Sequence, residues 1–192
     1  MARRIKHRPN FPTVAIVGEG KVEKAYFEQL RQNENIDFAV KPNLPKNSSI
    51  EAIVNKGREL FNAEYDTVFC VFDMDKIFRD PKILQKYAEL KAKFQRDNFI
   101  FIENNPCIEY WFLLHFEDST RHFDTDAQLL AQLRKHIPDY SKSVQYLNRK
   151  GIFKLLKPNQ YQAREYARKP TREGVKVSGS AMYQILDHIG VT

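Results

Sequence analysis

The acidic residues of this chain gather where a metal-dependent reaction would need them. "TVFCVFDMDK" (Thr67 to Lys76) is an apolar run closed by Asp73 and Asp75. If the chain is still extended there, the i, i+2 spacing turns both carboxylates to the same side. "GEGKVE" places Glu19 at the exit of another apolar run and Glu23 four residues later, on the first turn of the segment that follows. Glu109 opens a stretch with Trp111, Phe112, Leu113, Leu114 and Phe116, apolar nearly all round and so predicted as a buried helix. A carboxylate there must be paired, protonated or bound to a metal. Oxygen-only ligands select hard cations such as Mg²⁺ or Mn²⁺ over zinc. Glu19, Asp73, Asp75 and Glu109 are therefore the candidate metal ligands. Such an ion would orient a water and offset charge on a leaving oxygen. Glu19 or Glu23 would act as general base, and Lys21 or Lys76 would stabilise transition-state charge.

Each acid also has a plain structural role open to it. Asp73 and Asp75 suit a turn and cap leading into "KIFRDPK". Glu23 suits a helix N-terminus, worth roughly 0.3–1 kcal/mol. His115, on the Glu109 helix, reads as a satisfied, partly buried histidine, and Cys70 and Cys107 as buried free thiols.

The elements that must hold these acids alternate. "TVAIV" (Thr13 to Val17) is a β-branched strand, followed by an amphipathic helix in "EGKVEKAYFEQLRQN". A short strand near Phe38 and the loop "KPNLPKNSS" precede a helix that Ser49 could cap. "TVFCVF" is the strongest strand, Pro81 to Gln95 a helix, and "NFIFIEN" a fourth strand. Asn105 and Pro106 suit the cap and first position of the next helix. Strand alternating with helix implies βαβ units: an α/β fold on a four-stranded parallel sheet. Ligands of such sheets sit outside the carboxyl ends of the strands, where Glu19, Asp73 and Glu109 are all expected. From about Phe123 only helical patterns follow, in "DAQLLAQLRKHI", "KSVQYLNRKGIFKLL", "NQYQAREYARK" and "GSAMYQILDHI".

Charge divides the chain in the same places. The net +7 of the 192 residues comprises +4 in residues 1–12, −4 in residues 13–120 and +7 in residues 121–192. The expected organisation is a basic arm (1–12), an α/β core (13–120) and a basic helical extension packed on it (121–192). In the extension Lys142, Arg149, Lys150, Lys154, Lys157, Arg164, Arg168, Lys169, Arg172 and Lys176 are interleaved with Tyr140, Tyr146, Tyr161 and Tyr166. Cations neutralise phosphates and aromatic rings stack on bases, so nucleic acid is the expected partner. Solvated helix faces and core-packing tyrosines give the same composition for a duller reason. No apolar run approaches the roughly 18 residues of a membrane span, and no apolar segment follows the basic arm as in a signal peptide, so a cytoplasmic home is expected.

Phosphate-binding loops fit poorly, because "GEGKVE" lacks GxxxxGK[ST] spacing and a GxGxxG motif would need glycine at Glu23. A receiver domain would want its close acid pair after the first strand, whereas here it follows the third. A glutamate after strand one and Asp-x-Asp after a later strand instead resembles the Toprim fold. More specifically, "EGKVEKAYF" (Glu19 to Phe27), "VFDMDK" (Val71 to Lys76) and "NPCIEYWFLLHF" (Asn105 to Phe116) resemble the RloB-like family, over residues 13–120. That resemblance implies a Toprim-like core and a prokaryotic setting. It implies a metal-dependent nuclease linked to restriction loci or phage defence, with a partner defence or restriction protein in view. It carries over Glu19 as the Toprim glutamate, Asp73 and Asp75 as the metal pair, and Glu23 and Glu109 as accessory acids. The alternative is a non-catalytic module binding nucleic acid or a partner protein.

Overall fold

The structure, a computed structural model, describes residues 12–34, 39–43, 49–119, 121–169 and 178–191, with the backbone alone for 39–43. The expected basic arm up to Phe11, Phe38, Arg172 and Lys176 lie outside these residues.

Four strands run parallel: β1 (Thr13–Val17), β2 (Ala39–Asn43), β3 (Thr67–Asp73) and β4 (Phe99–Asn105). A two-residue strand, β5 (Gly179–Ser180), adds antiparallel to β4, giving the order β2-β1-β3-β4-β5. The sheet is thus parallel with a short antiparallel edge that the sequence pattern does not reveal. The central strands are buried on both faces, which accounts for the unbroken apolar runs of β1 and of β3 up to Phe72.

Helices cover both faces. On one side α2 (Ile50–Asn62), α3 (Met74–Arg79) and α4 (Pro81–Phe94) enclose a core that includes Ile53, Phe72, Tyr87 and Phe101. On the other side α1 (Lys21–Asn33) and α5 (Glu109–Leu114) share a larger core with α6 (Asp126–Leu133), α7 (Val144–Lys150), α8 (Ile152–Leu156), α9 (Gln160–Arg168) and α10 (Met182–His188). Trp111 belongs to it: fully buried, it donates from Nε1 to the Tyr26 hydroxyl at 3.0 Å.

Local chemistry sets the boundaries. Ser49 caps α2 by accepting from Ala52 N at 3.2 Å, and Asp80 caps α4 ahead of Pro81 by accepting from Lys82 N at 2.9 Å. Gly151, at φ 64°, breaks the helix expected across 142–156 into α7 and α8, a left-handed conformation that glycine adopts without steric cost. The helix expected from Pro106 begins later, at Glu109, because β4 continues to Asn105, which pairs with Gly179; the Asn105–Pro106 peptide is cis. No helix among the described residues is long and apolar enough to cross a membrane.

Candidate functional site

In the strand order β2-β1-β3-β4 the chain leaves β1 in one direction and returns past it in the other, so the switch point falls between β1 and β3. Glu19 follows β1 and Asp73 ends β3. A cavity of about 270 Å³ opens there, lined among others by Glu19, Glu23, Asp73, Lys76, Glu109 and Lys142. Four expected acids, from β3, α1, α5 and the β1–α1 loop, therefore share one concavity.

Each is held differently. Glu19 Oε1 accepts from Lys76 Nζ at 2.9 Å, across from the first residues of α3. Glu23 is buried and its Oε2 accepts from Gly20 N at 3.2 Å, so it does close the N-terminus of α1. Gly18 is required beside it, since a Cβ there would stand 2.8 Å from Glu23 Cβ. Asp73 Oδ1 accepts from Ile108 N at 3.0 Å, which ties the end of β3 to the turn before α5. Glu109 is fully buried; Oε1 accepts from the Tyr140 hydroxyl at 3.0 Å. Its Oε2 lies 3.3 Å from Lys142 Nζ, an ion pair without hydrogen-bond geometry, so that oxygen has no hydrogen-bond donor. Lys142 also meets Asp126 Oδ2 at 3.1 Å.

Two carboxylates in this cavity have a lysine and two do not. Burial, with the charges of Glu109 and Glu19 added, raises Glu23 to about 7 against the opposing backbone hydrogen bonds. Burial, and then Glu23, Glu109 and Glu19, hold Asp73 well above the usual carboxylate range, opposed by the Ile108 N–H. Lys76 is raised by its hydrogen bond to Glu19. Lys142 is raised as well: burial works against its charge, but Glu109 and the neighbouring acids outweigh it.

The structure separates other expected members. Asp75 falls in the first turn of α3, because the helix starts at Met74, directly after the strand. Its N–H donates to Pro106 O at 3.0 Å and its carboxylate lies 3.7 Å from Arg79, so the extended i, i+2 geometry is absent and Asp75 does not line the cavity. Lys21 is exposed at the start of α1 and also lies off the cavity wall. Tyr140, Asp126 and the cavity role of Lys142 are not legible in the sequence. A Tyr-x-Lys in a loop after Pro138 carries no periodic signal, and only its return to α5 gives it a function.

The basic helices are largely engaged with acids. Lys150 pairs with Asp139 at 3.2 Å, Lys157 with Glu34 at 2.6 Å and Arg164 with Asp187 at 3.6 Å. Arg168 meets Asp187 at 2.6 Å and Glu165 at 2.9 Å, and Lys169 pairs with Asp118. Arg149 lies over the Tyr146 ring, and Lys154 makes no ion pair among the described residues. Tyr140 and Tyr146 are buried, whereas Tyr161 is 77% exposed. His115 is buried too, its Nδ1 2.8 Å from Trp111 O, and burial lowers it to about 4. Cys70 and Cys107 are buried free thiols.

The donor set of the cavity is oxygen from carboxylates, the chemistry of Mg²⁺ or Mn²⁺. Among the described residues no three His, Cys, Asp or Glu stand together at the spacing of a formed metal cage. Mg²⁺ does not require one, since it keeps several waters and takes one or two carboxylates. Buried Glu23, half-buried Asp73 and the undonated Glu109 Oε2 are compatible with that mode.

Fold and site define a class: an α/β protein with a carboxylate-lined crevice at the switch point of a parallel sheet. The RloB-like protein family matches residues 14–188, and the chain belongs to it. That match runs well past the three motifs and through the helices of the C-terminal third. No curated protein and no solved structure matches the chain.

Proposed function

We propose that this RloB-like protein is a Mg²⁺- or Mn²⁺-dependent nuclease that hydrolyses phosphodiester bonds of DNA or RNA, in the cytoplasmic phage-defence setting its motifs imply. One observation carries the reading: Glu23, which is buried, and Asp73, which is half-buried, share one cavity at the switch point, and neither has an ion-pair partner among the described residues. Like charges in so small a space keep their protons unless a cation arrives. Glu19, Asp73 and Glu109 are the residues that would hold a divalent ion, and that ion would supply Lewis acidity to a phosphoryl oxygen.

The chain's own groups divide the remaining work. The Ile108 N–H fixes Asp73 Oδ1, and Tyr140 and Lys142 fix Glu109. The Glu23 carboxylate, at about 7, can take a proton near neutral pH, as a general base must. Lys76, held on Glu19 at the rim, faces the developing negative charge.

Cleavage of a panel of single- and double-stranded DNA and RNA, with EDTA as control, is the direct test. Asp73→Asn should reduce turnover by about a hundredfold or more if the ion is held there. In titration calorimetry the same variant should lose Mn²⁺ binding. Cleavage undiminished in Asp73→Asn would sink the assignment. A second reading, a non-catalytic module that binds nucleic acid or a partner defence protein, is favoured by the lysines that already occupy Glu19 and Glu109. It predicts salt-sensitive binding that survives Asp73→Asn, with no turnover of any substrate.

A further inference from the structure

A second concavity of about 250 Å³ lies against the acidic one and shares Glu19, Asp73 and Lys76 with it. Its far wall is different in kind. Lys82 and Lys86 stand one turn apart on α4, so they lie on the same face of that helix. Both side chains are exposed, and neither makes an ion pair among the described residues, unlike Lys76 on Glu19. Between these cations the wall is aliphatic: Ile50 from α2, Ile77 from α3 and Ile83 from α4. Ile83 is 37% exposed, and Leu84 and Phe78 nearby are more exposed still, so apolar surface remains open to water here.

Lysines without acid partners beside an aliphatic wall are complementary to one nucleotide, with its phosphate on the cations and its base on the isoleucines. We infer that this pocket binds a single unpaired nucleotide of a single-stranded nucleic acid and so presents the adjoining phosphodiester to the acidic cavity. The inference deepens the proposed nuclease reading and rests on nucleic acid being the substrate. Size carries the strand preference. A base reaches such a pocket only when it is free of its stack and partner, which single strands allow and a duplex resists. Glu51, the one acid on the wall not shared with the neighbouring cavity, accepts hydrogen bonds from sugar hydroxyls or base amino groups and repels a second phosphate.

Binding is measured on the full chain in EDTA, by fluorescence anisotropy, with a short labelled single strand and its duplex over a salt series. Single strand should bind more tightly than duplex. Lys82→Ala/Lys86→Ala, two exposed positions whose change should leave thermal unfolding unaltered, should weaken single-strand binding about tenfold and lower the log–log salt slope by about 1.4, roughly 0.7 for each lysine. Ile83→Ala should weaken binding without moving the slope, separating base from phosphate contact. The assignment is overturned if duplex binds as tightly as single strand, or if the double-lysine variant keeps wild-type affinity and slope. It is also overturned if a mononucleotide binds through these lysines while strand binding ignores them. Lysine-dependent strand binding by a protein that cleaves nothing keeps this inference and removes the nuclease reading. Cleavage with lysine-independent binding does the reverse.

Discussion

The acidic crevice and the basic helices carry opposite charge in the sequence, but they differ more in how that charge is answered. In the helices Lys150, Lys157, Arg164, Arg168 and Lys169 each meet a carboxylate. In the crevice Lys76 and Lys142 answer Glu19 and Glu109, while Glu23 and Asp73 are left to one another. A residue count assigns the positive surplus to the helices, yet a paired lysine must give up its acid before it can neutralise a phosphate. Unanswered charge, and not total charge, marks where a ligand gains most.

Removing a cation from the crevice should therefore cost far more than removing one from the helices. Lys142→Ala leaves Glu109 fully buried and without its cation, with the neutral Tyr140 hydroxyl still donating to Oε1. We expect a loss of about 1–3 kcal/mol in urea unfolding at neutral pH in EDTA. Glu109→Gln in the same background should restore part of it, because a neutral amide no longer needs the lysine. A double variant no more stable than Lys142→Ala would mean that the pair is not what Lys142 contributes.

The pH dependence sharpens the contrast. Glu23 rises from an ordinary 4.5 to about 7 on folding, so the folded chain holds that proton more tightly than the unfolded one. Its contribution is fully present below about 4.5 and is lost as pH rises to about 7. His115 has the opposite sign: lowered to about 4, its neutral ring favours the fold above 6.5, and that stability is lost as pH falls toward 4. Wild type minus Glu23→Gln isolates the first effect. The variant should be the more stable protein at pH 8, by about 1–3 kcal/mol, and should lose that advantage by about pH 5. Added Mn²⁺ should narrow the gap at pH 8 by stabilising the ionised wild type. An advantage that does not change with pH would show that Glu23 ionises freely in the fold.

How much of the molecule is legible in its sequence follows from the range of each interaction. The parallel core is written in runs of Val, Ile and Phe and in a cap such as Ser49, all local signals, and it can be read directly. Glu19, Glu23, Asp73 and Glu109 can be placed at strand exits because topology alone sends them there. Asp75 cannot, since whether β3 ends in extended chain or turns at once into α3 depends on packing against Pro106. β5 is hidden for a similar reason: two residues make no alternation, and Ser180 is fixed by Asn104, 76 residues away. The pairing of the basic helices is equally invisible, because Lys157 finds Glu34 and Lys169 finds Asp118 only after the chain has folded back.

The smallest expected effect is the one that most directly tests the comparison. Lys150 and Arg168 lie on the helices, about two-fifths exposed, each paired with a carboxylate that is itself partly in solvent. Exposed pairs of this kind contribute little to stability, because water screens them and two long side chains must be held in one place. Lys150→Ala and Arg168→Ala should each leave the urea midpoint close to the wild-type value, and so should the double variant, since Asp139 keeps the Tyr146 hydroxyl and Asp187 keeps Arg164. The consequence for binding is sharper. If the helix cations are already answered, the double variant should keep the wild-type salt slope for single-stranded nucleic acid, whereas a helix surface that tracks the backbone would lower it by about 0.7 per cation removed. A slope that falls with these two residues and not with Lys82 and Lys86 would reverse the roles of the two regions, making the helices the phosphate-binding surface and leaving the crevice without one.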